Sequence, residues 1–337
     1  MLPNAPSLLY LFSNRMDYEL LIKRAVERRS ALFELKDTDC FRLVNGEADG
    51  LPGFTLDRFG DFLLVQAYEE ALLERYGKNV MLGESYIKAL SPAIMPVPVK
   101  GILFKNREKL SGKGNDPVKR KSLLIYGEYP PLNFAITQNG VRLLVDLVEG
   151  QDTGIFLDMR EIRNELADFY KTVGGGMLNL FCYTGMFSIH AIKNGLASAL
   201  NVDLSASALE RAKKNYELNG IAFKNTDFIR GDAVEWSVRL AKKGVEFGII
   251  VIDPPTFSRN RKKLFSVKEN YSTALSSLAQ ITPHGYVFSS INALGISKKE
   301  FMAFHPRRWK LVFYRNESSD FLTSGAHYLK AGLWKIG

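Results

Sequence analysis

Met177-Leu178-Asn179-Leu180-Phe181-Cys182-Tyr183-Thr184-Gly185-Met186-Phe187-Ser188-Ile189-His190 opens the stretch that decides the fold. It begins as an apolar run, Met177 to Cys182, and turns at Tyr183-Thr184-Gly185. Met186 to Ile192 continues it, Gly195 stops it, and a second apolar run, Ala199 to Val202, ends on Asp203. The order is strand, tight glycine turn, helix, strand, acid. In open parallel sheets the ligand lies beyond the carboxyl ends of the strands. A glycine turn there lets a cofactor approach the backbone, and an acid ending the second strand can accept both ribose hydroxyls. The layout offers a nucleoside site. G-x-G-x-x-G is absent, so a pyrophosphate cradle is not evident, and a nucleoside without a pyrophosphate, such as S-adenosylmethionine, fits better. An ordinary βαβ unit with a solvated acid is the plainer alternative.

Downstream, the rhythm is regular. Helix Ser205 to Asn219 opens on a serine cap. Strand Asp227 to Arg230 ends near Asp232, helix Glu235 to Lys243 follows, and the apolar strand Phe247 to Ile252 runs into Asp253-Pro254-Pro255. A basic loop, Arg259 to Lys263, leads to helix Lys268 to Ile281, strand Tyr286 to Ser290, helix Lys298 to Phe304 and strands Trp309 to Tyr314 and Tyr328 to Ile336. Alternating strands and helices predict a parallel sheet with helices on both faces, a Rossmann-like α/β fold.

Upstream, the pattern is that of a smaller α+β domain. A helix is expected over Asp17 to Leu35, a strand over Phe41 to Val44, and a hairpin over Phe54 to Gln66 turning at Gly60-Asp61. A helix follows over Leu72 to Leu90, then a strand over Gly101 to Phe104. Asn139-Gly140 marks a second hairpin between Phe134 and Val145. A further helix runs from the segment at Gln151 to about Tyr170. The expected division is near Gly150: residues 1–149 for RNA or substrate recognition, residues 150–337 for the cofactor.

The chain has 337 residues, 46% of them apolar and 24% charged, which fits a soluble globular protein of about two domains. Its net charge of +9 favours a polyanionic partner. The surplus concentrates in Lys105, Arg107, Lys109, Lys113, Lys119, Arg120 and Lys121, and again in Arg259, Arg261, Lys262 and Lys263. Both loops are candidate contacts for RNA phosphates, and a solvated face is the plainer reading. Two cysteines, Cys40 and Cys182, make neither a disulfide framework nor a four-thiolate zinc site, and the four histidines are scattered, so no metal is expected. No run reaches the roughly 20 apolar residues of a membrane span, and a cytoplasmic protein is expected.

Five stretches together resemble a known family. They are Asp49 to Gly60, Gly150 to Arg160, Leu178 to His190, Asn201-Val202-Asp203-Leu204-Ser205 and Ile252-Asp253-Pro254-Pro255-Thr256-Phe257-Ser258. The chain is similar to the class I S-adenosylmethionine-dependent methyltransferases of 23S ribosomal RNA, in the branch that modifies cytosine C5 or guanine N7, here without that family's N-terminal PUA-like domain. The resemblance implies an enzyme that binds S-adenosylmethionine and acts on ribosomal RNA or a large-subunit precursor, as a monomer or homodimer. Phe156, Asp158, Arg160, Phe181, Tyr183, Thr184, Gly185, Asp203, Leu204, Ser205, Asp232 and Asp253 are then the cofactor residues. Among these, Arg160 is the candidate for the methionine carboxylate and Asp232 for the adenine amino group. Asp253, Pro254, Pro255 and Phe257 form the catalytic loop, with Phe257 a candidate to stack on a flipped-out base.

Departures from the family carry chemical weight. Asp152 and Met159 stand where the family's entry segment has lysine and glutamine. The cytosine-C5 members have a cysteine in Phe-Ser-Cys-Ser, and this chain has Phe288-Ser289-Ser290-Ile291. Cytosine C5 needs covalent activation at the neighbouring carbon, for which a thiolate is suited and an unactivated hydroxyl is not. Guanine N7 already has an in-plane lone pair and needs mainly positioning. A base nitrogen such as guanine N7 is therefore the expected target. The alternatives are cytosine C5, and a noncatalytic RNA-binding protein on a methyltransferase frame.

Overall fold

The computed structural model describes residues 18–68, 90, 92–107, 121–149, 152–255, 257–259 and 264–336, giving for 106, 257–259, 264–270 and 273 the backbone alone. The expected helix Leu72 to Leu90 lies outside the described residues, apart from Leu90 itself.

Helix α1 (Tyr18–Glu27) leads into an N-terminal sheet. Its strands are β1 (Cys40–Asn45), β2 (Phe54–Phe59), β3 (Phe62–Ala67), β4 (Gly101–Asn106) and β5 (Leu123–Gly127), side by side in that order. All pairings are antiparallel except β3 with β4. The helix ends earlier than its apolar pattern predicts, and a short 3-10 turn, Ser30–Glu34, replaces its last part. Arg29 sits at that break, buried, with its guanidinium on the buried Asp49 at 2.8 Å. A continued helix would carry this arginine away from its acid. The hairpin β6 (Ala135–Gln138) and β7 (Val141–Leu144) turns at Asn139-Gly140, both with positive φ.

The second sheet follows α2 (Arg160–Tyr170). Its elements in chain order are β8 (Met177–Leu180), α3 (Met186–Lys193), β9 (Ala199–Asp203), α4 (Ala206–Leu218), β10 (Phe228–Arg230), α5 (Ala233–Lys242) and β11 (Ile249–Ile252). A short antiparallel pair, β12 (Phe257–Arg259) and β13 (Leu264–Ser266), precedes α6 (Val267–Leu278), β14 (Tyr286–Asn292), α7 (Lys298–Ala303), β15 (Lys310–Arg315) and β16 (Leu329–Lys335). The order across the sheet is β10-β9-β8-β11-β14-β16-β15. The first five strands are parallel, as the alternation predicts. Only β16 runs against them, returning between β14 and β15, and β15 points the same way as the first five.

The sheet is buried on both faces, as a parallel sheet requires. Leu178, Ile250, Ile252 and Val287 pack under α5, α6 and α7, while Met177, Ile249, Val251 and Phe288 pack under α2 and α3. The hairpin β6–β7 shares a third core with the N-terminal sheet and with helices of the second layer: Ile136 and Leu143 meet Leu64 and Leu103 of β3 and β4, and Ile189 and Leu209 of α3 and α4. The sheet's centre is therefore rigid, and the order reversal at β8 and β11 opens a crevice beyond their carboxyl ends.

Candidate active site

The turn after β8 is strained and is held by a buried polar chain beneath it. Phe181 and Tyr183 both adopt left-handed backbone conformations, at φ 59° and 51°. Non-glycine residues pay for such conformations, which persist where surrounding structure fixes them. Gly185, at φ 82°, opens α3, and a Cβ there would sit 3.2 Å from the Ala212 Cβ. Below, Asn179 Nδ2 donates to Ser188 Oγ at 2.8 Å, Ser188 donates to Asn201 Oδ1 at 2.7 Å, and Asn201 Nδ2 donates to Tyr216 Oη at 3.0 Å. One network thus joins β8, α3, β9 and α4. Thr184 donates to the Gly154 carbonyl at 2.8 Å, and its own carbonyl accepts from Asn215 Nδ2 at 3.0 Å.

Asp203 ends β9 and fixes the turn from the other side. Its Oδ2 accepts from the Tyr183 N–H at 2.9 Å and its Oδ1 from the Ser205 N–H at 2.8 Å. Between these walls lies a cavity of about 440 Å³, lined by Phe156, Asp158, Phe181, Tyr183, Thr184, Asp203, Leu204, Asp253, Pro254 and Pro255, all expected site residues. Such a volume lies within the usual range for a small-molecule pocket. The ring of Phe156 is 5.5 Å from that of Tyr183 and half exposed at the mouth.

Asp253 ends β11 and accepts from Ser290 Oγ at 2.5 Å. Desolvation pushes its carboxyl up to about 6; the Ser290 bond and Arg163 oppose that shift, and Asp158 adds to it. Asp158 is itself raised, again chiefly by desolvation, although Tyr328 Oη donates to its Oδ2 at 2.9 Å. Two acids with raised proton affinity in one cleft form an environment that rewards a cationic ligand.

Four expected residues are placed otherwise. Arg160 is buried on Asp320, with Nη2 to Oδ1 at 2.9 Å, and does not line the cavity. Arg163, one turn on, lines it instead. Its Nη2 donates to the Phe156 carbonyl at 2.7 Å and to Gln138 Oε1, while its buried Nε has no partner among the described residues. Desolvation lowers its pKa to about 10. Spacing along α2 cannot separate the two arginines, since residues three apart share a helix face. Asp232 caps α5, its Oδ1 accepting from Val234 and Glu235 N–H groups at 3.0 Å, and its neighbours Gly231 and Ala233 form the wall. Ser205 caps α4 through the Ala208 N–H. Gly185 supplies the turn rather than the wall.

The basic loops fall largely outside the described residues: Lys109, Lys113, Lys119, Arg120, Arg261, Lys262 and Lys263 all do. Arg259 and Phe257 are described as backbone in β12. Lys105 is a correction. Only 3% exposed, with its pKa lowered to about 8 by desolvation, it does not present an ammonium to a phosphate. Arg107 is partly exposed, and Lys121 is exposed beside Tyr129, 6.0 Å from its ring. No helix among the described residues is long and apolar enough to cross a membrane.

Residues 122–309 match a family model described as S-adenosylmethionine-dependent methyltransferase. The chain is 32% identical over 288 residues to "Ribosomal RNA large subunit methyltransferase I" of Aeromonas hydrophila, covering 84% of this chain and 69% of that one. It is 34% identical over 287 residues to "Putative ribosomal RNA large subunit methyltransferase YwbD" of Bacillus subtilis, covering 84% and 68%. Among solved structures, "Crystal structure of SMU.776, a putative methyltransferase complexed with SAH" superposes with a TM-score of 0.81 at 26% identity, over 99% of this chain and 83% of that one.

Proposed function

The chain belongs to the S-adenosylmethionine-dependent methyltransferases, and from that premise we propose that it methylates a nitrogen of a base in large-subunit ribosomal RNA, guanine N7 first among them. The ribosomal RNA relatives support the substrate class. The single observation that carries the choice of atom is the Ser290 hydroxyl, committed to Asp253 at the position where the cytosine-C5 branch has its thiol. Neither cysteine replaces that thiol. Cys40 is fully buried, and desolvation raises both Cys40 and Cys182, so neither is poised as a thiolate.

The cavity suits the cofactor. Asp203 stands at the end of β9 with its carboxylate oriented by two N–H groups, ready to accept ribose hydroxyls. Phe181, Leu204, Ala233 and Pro254 give the adenine an apolar slot. Asp158 and Asp253 face the ammonium end, and the unpartnered Arg163 Nε is suited to the carboxylate. When bound, the cofactor supplies a methyl group activated on a sulfonium. The protein's part is then alignment: Tyr183 and Thr184 fix the floor, Pro254 and Pro255 stiffen the rim, and Asp253 accepts a hydrogen bond from the acceptor base. The base nitrogen's lone pair forms the new N–C bond as the C–S bond breaks. With guanine N7 no proton is released, so no strong base is required.

In this reading residues 1–149, with the loop Arg107–Lys121, and the loop Arg259–Lys268 hold the RNA. Mapping ribosomal RNA modifications by mass spectrometry in cells with and without the protein tests the substrate. A 5-methylcytosine product, or a covalent adduct with RNA carrying 5-fluorocytosine, removes the nitrogen assignment.

A further inference from the structure

A second chamber, of about 290 Å³, opens against the first. Asp152, Ile155, Phe156, Asp158, Tyr183 and Asn292 line both. Its far wall comes from the N-terminal sheet, which contributes one polar residue from each of three strands and one from just beyond a fourth. Arg42 on β1 pairs across to Asp57 on β2, with Nε to Oδ1 at 2.8 Å and Nη2 to Oδ2 at 3.0 Å. Gln66 on β3 donates through Nε2 to Asp57 Oδ2 at 3.0 Å, and Arg107, following β4, donates through Nε to Gln66 Oε1 at 2.6 Å.

This row is built to one polarity. Asp57 and Gln66 are 2% and 5% exposed, so their polar atoms must be satisfied within the protein. Asp57 spends both oxygens on its neighbours, and the Gln66 amide is oriented by two bonds, carbonyl to Arg107 and nitrogen to Asp57. The acceptors are consumed inside the row. Arg42 also gives Nη1 to Asn45 Oδ1 at 2.7 Å and lies over the Phe321 ring. The Arg107 side chain is bonded among the described residues through Nε alone, so the open end of its planar fork is the edge left for a ligand. A ligand complementary to this wall presents acceptors: a base carbonyl or a phosphate oxygen. The remaining walls combine aromatic rings, Tyr68, Phe156, Phe59, Phe321 and Tyr328, with Asp152, Asp158 and Asn292 on the side shared with the first cavity. An acceptor-rich edge between aromatic faces is the chemistry that receives an extruded nucleotide.

Geometry gives the same occupant. A methyl acceptor must approach to roughly 3–3.5 Å, in line with the bond that breaks, and so must enter from a side the cofactor does not fill. Phe156, Asp158 and Tyr183 border both chambers, so an acceptor held in the second lies beside a cofactor held in the first. We propose that this second chamber seats the acceptor nucleotide, its carbonyl or phosphate oxygens on the Arg42–Asp57–Gln66–Arg107 row and its ring between the aromatic side chains, with the reacting edge of the base passing the shared wall into the first cavity, where Asp253 lies. The proposal rests on the nucleic-acid reading above and assigns Tyr68 and Arg107 as positioning residues within it.

Tyr68 and Arg107 line the second chamber and not the first, and Tyr68 is 42% exposed, so its removal leaves the core intact. Tyr68→Ala, Arg107→Ala and Arg107→Lys are compared with the wild type in two assays. One is single-turnover methyl transfer from labelled S-adenosylmethionine to large-subunit RNA from cells lacking the protein. The other is calorimetric binding of guanosine 5′-monophosphate at saturating S-adenosylhomocysteine. The expected result is a loss of about tenfold or more in transfer at saturating RNA for both alanine variants. Arg107→Lys should recover only part of it, and S-adenosylmethionine affinity should stay within about twofold. Nucleotide binding should weaken in step. Full-rate transfer and unchanged nucleotide binding in both alanine variants overturn the chamber's role while leaving the RNA reading standing. Variant-sensitive nucleotide binding in an enzyme inert on ribosomal RNA upholds the chamber and overturns that reading instead.

Discussion

Ser290 on β14 donates its hydroxyl to Asp253 at the end of the adjacent parallel strand β11, 2.5 Å away. The contact stabilises the charged form of a carboxylate that desolvation would otherwise protonate. Ser290→Ala removes that opposition, so the Asp253 pKa rises above about 6. If the ionised carboxylate is the working form, kcat/KM falls as pH drops through that value. The variant's acid limb should then lie about one pH unit higher, with near wild-type rates around pH 8.5. Superimposable pH–rate profiles would remove the bond from catalysis.

The same carboxylate carries a stability cost. Its folded pKa, about 6, lies above the usual 3.8. Between those values the folded state holds a proton the unfolded state has released, so stability falls as pH rises through the window. Asp253→Asn should therefore melt at or above the wild-type temperature at neutral pH, and the difference should close below about pH 4. Methyl transfer should drop on the order of a hundredfold, the scale of a misplaced reacting pair. Thermal melts at both pH values, with turnover alongside, check the two halves.

Asp203→Ala should weaken S-adenosylmethionine binding by about 1.5–3 kcal/mol, the scale for hydrogen bonds to a charged group. It also leaves the Tyr183 and Ser205 N–H groups without their acceptor. Calorimetry reads the affinity directly, and an unchanged Kd takes Asp203 out of the ribose site.

Asp320 should matter to folding more than to the cofactor. Its side chain accepts from Arg160 Nη2 and the Arg42 N–H, and its carbonyl accepts from Arg29. Asp320→Ala leaves the buried Arg160 guanidinium with Glu161 as its remaining acid and should cost about 3–5 kcal/mol in urea denaturation. Arg163→Met should instead lower cofactor affinity with a smaller stability loss. The reverse ranking would return the carboxylate role to Arg160.

Much of this was legible in the chain. The strand-turn-helix-strand-acid order at Met177 to Asp203 located the cavity, because a both-face-buried sheet writes itself as apolar runs. Hairpin β6–β7 was announced by Asn139-Gly140, which needs two positive φ angles. Strand β5 was not legible: Leu123 and Tyr126 are exposed, so it lacks the alternation that marks a half-buried strand. The pairing of Arg160 is hidden for a comparable reason. Its acid, Asp320, is 160 residues away in sequence, and no local pattern reveals a partner at that distance. The Lys105 ammonium read as part of a charged loop, but the residue lies in β4 with its side chain under cover.

The Asp320 junction ties the break after α1, β1 and α2 to the loop before β16, joining the two sheets through one side chain and one carbonyl. Among the described residues, a seam fastened this way resists closing around an arriving substrate. The work of adaptation then passes to the partner, which must deliver its reactive base already turned out of its stack or bear the cost of turning it. Turnover should accordingly favour acceptor sites that are unpaired before they arrive, so that the fold of the RNA, as much as its sequence, decides where the methyl group lands.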